Sequence, residues 1–114
     1  MAFTLTTTSV AVRDDTSTPW FHEVDNDART AFLAWRDTNY IDTNKTSAWS
    51  ATESADETTL TSVRQFVDRD GINAWLAESN VKTQMAARKV YEDANGITRT
   101  GTRMLLGSYL AFSG

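Results

Sequence analysis

The histidine at position 22 is the only one in the chain, set in Trp20-Phe21-His22-Glu23 beside two large rings. An imidazole that titrates near neutrality, held in an apolar pocket, can act as a general base or a haem ligand. It can equally be a half-exposed helix residue, because the sequence places no second group to orient it. Trp20, Trp35, Trp49 and Trp75 are many tryptophans for 114 residues. They could wall a pocket for a small apolar molecule, with Asn39, Tyr40, Arg64 and Tyr91 supplying polar contacts. Rings at helical spacing are also the ordinary material of a core. Asp25 and Asp27, and Asp68 and Asp70, form near pairs that resemble metal ligands, but each pair stands where a helix should begin, so capping accounts for them. Arg99 and Arg103 share one parity of a strand and suit either an anion or a solvated edge protected by cations.

Several chemistries are closed. The chain has no cysteine, which removes disulfides, thiolate nucleophiles and sulfur-bound metals. It shows no glycine-rich phosphate loop, nucleophile elbow or metal-ligand cluster, so neither a cofactor nor a metal is expected. The net charge of -4, with scattered lysines and arginines, disfavours nucleic acid and anionic membranes as partners. No apolar run approaches the roughly 20 residues of a spanning helix, and the first residues lack a basic leader, so a cytosolic protein is expected. With 40% hydrophobic and 23% charged residues, the composition is that of one folded domain over 1–114.

The elements that must position these residues follow from periodicity. Phe3 to Arg13 is rich in threonine and valine with strand alternation. Thr18-Pro19 opens a helical region in which Trp20, Phe21, Val24, Ala28, Ala31, Phe32 and Trp35 share one side, running to about Asn39. Asp25-Asn26-Asp27 allows this to be one helix or a short turn with a fresh start at Asp25 or Asn26. Thr46 to Glu53 reads as a second strand with Ser47, Trp49 and Ala51 on one face. After the turn Ser54 to Glu57, a third strand carries Leu60 and Phe66 on one face and Val63 and Val67 on the other. Asp68 to Gly71 starts a second helical region, with Ile72, Trp75 and Leu76. It breaks at Ser79-Asn80, resumes with Val81, Met85, Ala86, Val90 and Tyr91, and ends at Asn95-Gly96. Ile97 to Phe112 is read as one last strand, apolar on both faces near its end.

The strand SAWSATES, the turn ADET, the strand TLTSVRQFVDR and the helix start DGINAWLAESN resemble the dimeric α/β-barrel superfamily of ferredoxin-like proteins. That superfamily includes antibiotic-biosynthesis-monooxygenase-like, NIPSNAP-like and stress-responsive barrel domains, and uncharacterised marine microbial and phage members. The resemblance implies an α+β fold, βαββαβ, with a four-stranded antiparallel sheet and helices on one face. It also implies homodimerisation through the other face, which in the superfamily is apolar and must be covered; the two-sided apolar pattern of the third and last strands points the same way. The expected function is a small homodimeric barrel protein that binds a small apolar ligand between helices and sheet. Two alternatives stand beside it: a cofactor-independent monooxygenase or haem-degrading-type enzyme using His22 and the tryptophans, and a viral structural or assembly protein.

Overall fold

The computed structural model describes residues 3–105 and 108–112, with side chains described from Phe3 to Gly101. Five strands form one antiparallel sheet: β1 (Leu5–Arg13), β2 (Ser50–Glu53), β3 (Thr59–Phe66), β4 (Ile97–Leu105) and β5 (Ser108–Phe112). Their order is β2-β3-β1-β4-β5. Without β5 this is the ferredoxin-like arrangement, in which the first and third strands pair at the centre. The helices are α1 (Asp27–Arg36), α2 (Arg69–Ala77) and α3 (Ser79–Ala94).

The segment read as one last strand is a hairpin. β1 pairs with β4 from Arg13↔Ile97 to Leu5↔Leu105, where β1 ends. A straight continuation would leave the backbone without a partner on that side. Folding back restores hydrogen bonds, through pairs from Leu105↔Ser108 to Gly101↔Phe112.

The first helical region takes the second of its two readings. Phe21–Glu23 is a single 3₁₀ turn, and α1 begins anew with Asn26 as its cap, its Oδ1 accepting from Arg29 N at 3.0 Å. The restart rotates the helix. Ala28 and Ala31 are exposed, while Arg29 and Phe32 turn toward the sheet. After Arg36 the helix widens into a π turn over Asp37–Ile41, closed by Asp42 N to Asp37 O at 2.8 Å, which buries Tyr40. Asp68 caps α2 through Gly71 N at 2.8 Å. Glu78, with ψ near 130°, separates α2 from α3, and Gly96 at φ 69° ends α3 in the left-handed region that glycine enters freely. On α3, Ala86 and Val90 face solvent, and the inward stripe is Val81, Met85, Arg88 and Glu92.

Among the described residues, the buried strand positions lie on the helix-covered face: Leu5, Ala11 and Arg13, then Leu60, Ser62 and Phe66, then Ile97. The opposite face carries Thr6, Thr8, Val10, Val12, Thr59, Thr61 and Val63, none of them buried. Over β1 and β3 this face is therefore built of threonine and valine. The buried aromatic rings among the described residues, Trp20, Phe21, Tyr40, Phe66 and Trp75, lie on the helix side. The core packs in two clusters, one of Leu5, Tyr40, Phe66, Ile72, Trp75 and Val81, the other of Ala11, Trp20, Leu60 and Ile97. No helix of the described residues is long and apolar enough to cross a membrane.

Candidate functional site

A cavity of about 210 Å³ lies between the helices and the sheet. Its floor is made by β1, β3 and β4 through Thr7, Ser9, Ser62, Arg64 and Arg99. Its roof comes from α1, α2 and α3 through residues including Phe32, Trp75, Met85 and Arg88.

Trp49 reaches this cavity because β2 is out of phase with the segment before it. Thr46 bridges Phe66, yet Ser50 pairs with Val63, so four steps on one strand match three on the other. That is a β-bulge, and it shifts the alternation by one residue. Thr46 is consequently buried on the helix side, and Trp49, in phase with Glu53, turns to the same side. There the His22 ring meets Trp49 edge-on, with centroids 5.1 Å apart. His22 also borders a shallower hollow lined by Asp25, Asn26 and Thr30. Burial, followed by the cations Arg29 and Arg99, holds its pKa below the ordinary histidine value against the opposing pull of Glu23 and Glu53.

Of the sequence candidates, His22, Trp49, Trp75, Arg64 and Arg99 come together at the cavity. Trp20 and Trp35 do not line it. Trp20 is 2% exposed and donates its Nε1–H to Glu53 Oε2 at 2.7 Å. The Arg13 guanidinium lies over its ring at 4.2 Å, and its N–H groups donate to Glu57 O, Thr18 O and Glu53 Oε2. Trp35 packs with Phe32, Tyr40 and Trp75 at the rim of the first core cluster. Tyr40 donates to Glu78 Oε1 at 2.8 Å; burial, then that hydrogen bond, pushes its pKa up to about 12. Tyr91 donates to Pro19 O, and Asn39 is exposed with its amide on Trp35 O. Arg103 lies outside the residues whose side chains are described.

The sequence reading missed how many cations point inward. Arg99 donates to both oxygens of Glu92, at 2.7–3.0 Å, and to Ser9 Oγ at 2.6 Å. Arg88 approaches Glu92 at 3.9 Å. Arg64 lies over the Trp75 ring at 4.7 Å and Arg29 over Phe21 at 5.7 Å. The Nε of each is buried without a hydrogen-bond partner, as is Ser62 Oγ. Burial, reinforced by neighbouring arginines, brings Arg64 and Arg88 down to about 10 and lowers Arg29 as well. One signal was present on α3: Arg88 and Glu92 continue the stripe begun by Val81 and Met85, where apolar residues would be expected.

No protein-family model and no curated protein sequence matches the chain. Solved structures do match it over nearly their whole length, and they define its class as a ferredoxin-like α+β protein. One is SnoaB, a cofactor-independent oxygenase from Streptomyces nogalater, with a TM-score of 0.57 at 10% identity, covering 90% of this chain and 92% of that one. Another is a dimeric ferredoxin-like protein from an uncultured marine organism, with a TM-score of 0.50 at 13% identity, covering 91% and 95%. The likeness is one of fold.

Proposed function

We propose that the chain is a small-molecule-binding protein of the dimeric α/β-barrel type, holding its ligand between helices and sheet and covering its open sheet face with a second copy. The observation that carries the binding reading is the cavity of about 210 Å³ with Trp49, Trp75, Phe21 and Phe32 in its walls. An engineered apolar cavity of about 150 Å³ in another protein accepts benzene, so this one suits a single-ring compound with a short substituent. Indole or toluene should raise the melting temperature, and enlarging Trp75's neighbour by Leu76→Trp should abolish the rise. No response to any apolar probe overturns the reading. The dimer is supported by a sheet face with no buried residue among the described ones, bearing Val10, Val12 and Val63, and by the dimeric neighbour. Light scattering behind size exclusion should give twice the chain mass, and a monomer at micromolar concentration would contradict it.

A second reading, catalysis on the bound molecule without a cofactor, is favoured by His22. This imidazole is held toward its neutral form and lines the cavity, as a general base requires. A bound ligand whose chemical shifts show no contact with the imidazole would remove it.

A further inference from the structure

Four arginines, Arg29, Arg64, Arg88 and Arg99, border a cavity in a protein whose net charge is -4. Every aspartate and glutamate side chain lies among the described residues, and Glu92 alone comes within ion-pairing distance of any of the four. Its two oxygens are taken by Arg99. Arg29 and Arg64 therefore stand without an aspartate or glutamate partner, and neither has a side-chain hydrogen bond to a described residue. Their buried Nε atoms and Ser62 Oγ, on a side chain 5% exposed, are unsatisfied donors along the same cavity. A buried cation without an anion is costly, and buried polar groups are ordinarily paired. These guanidiniums come from a helix and a strand, α1 and β3, whose packing turns them inward.

We propose that the ligand is a small aromatic acid, its carboxylate accepting hydrogen bonds from Arg29, Arg64 and Ser62 and its ring packed against Trp75 and Phe32. The inference rests on the binding reading above and gives it a ligand class. The planar guanidinium fork matches a carboxylate in two parallel bonds, and the ring faces supply the apolar wall that a free inorganic anion would not use. Arg88 and Arg99, joined to Glu92, hold the positive field from the far side.

The test compares phenylacetate with its neutral isostere phenylacetamide, with toluene and with inorganic phosphate, by calorimetry and thermal shift on the full chain. Phenylacetate should bind at least about tenfold more tightly than the amide. Arg64→Met, which keeps the contact with Trp75, should abolish that preference while raising the melting temperature of the unliganded protein. Arg29→Gln should reduce the preference and serves should Arg64→Met fail to fold. If the amide or toluene binds as well as the acid, the acid class is overturned and the pocket survives. If phosphate matches phenylacetate, the aromatic part is overturned. If none of the organic probes binds, both readings fall.

Discussion

The end and the middle of the layer between helices and sheet treat arginine in opposite ways. At one end Arg13 is enclosed by two carbonyls, the Glu53 carboxylate and the face of Trp20, and Glu53 also receives the Trp20 indole N–H. Each partner satisfies another, and the group closes over a dry cluster with Ala11, Leu60 and Ile97. In the middle of the same face, Arg29 and Arg64 have ring faces beneath them but no carboxylate, and the space beside them is open. The contrast teaches that burial of a charge does not by itself mark a site. A satisfied cation is part of the architecture; an unsatisfied one beside a cavity is held for something else.

Trp20→Ala should break the closed end most severely. It removes a fully buried ring and the partners of Arg13 and Glu53, with an expected loss of about 3–5 kcal/mol in urea unfolding. Arg13→Met should cost about 2 kcal/mol, discounted because Glu53 is itself partly solvated. By contrast, Arg64→Met should raise stability, and equal losses for the two arginines would erase the distinction. Tyr40→Phe, which deletes a hydrogen bond in the neighbouring aromatic cluster, should cost about 1 kcal/mol. The wild type should also lose stability as pH rises from about 10, because the unfolded chain gives up its phenol proton there while folded Tyr40 keeps it to about 12.

The smallest effect is expected at His22. Its folded pKa lies below that of the unfolded chain, so unfolding takes up a proton as pH falls through about 6.5 and stability declines there. His22→Gln should flatten that part of the melting-temperature profile, and an unchanged slope would show that the ring is solvated in both states.

Much of the architecture was legible. The alternation in Leu5–Arg13 and Thr59–Phe66, the caps Asn26 and Asp68, and the terminator Gly96 are local signals that the fold uses as read. What misled was periodicity carried across a break. Ala28 and Ala31 joined Trp20 and Phe21 on one side only while the region was counted as one helix, and the restart at Asn26 turned Arg29 inward instead. The strand expected over Thr46–Glu53 is regular only from Ser50 to Glu53, so Trp49 lies just before it, and the bulge that brings Trp49 and Thr46 to one side depends on pairing with β3. The reversal after Leu105 likewise depends on where β1 ends.

By itself the sequence determined most of the elements and their order, because hydrogen-bond spacing, side-chain alternation and caps act over a few residues. Only the tertiary structure decided which cations share a cavity. Arg29, Arg64, Arg88 and Arg99 come from two helices and two strands, and Glu92 is committed to Arg99 across the turn at Gly96. Whether an arginine is satisfied depends on which carboxylates the folded chain brings within about 4 Å of it, a distance that its sequence neighbours do not set.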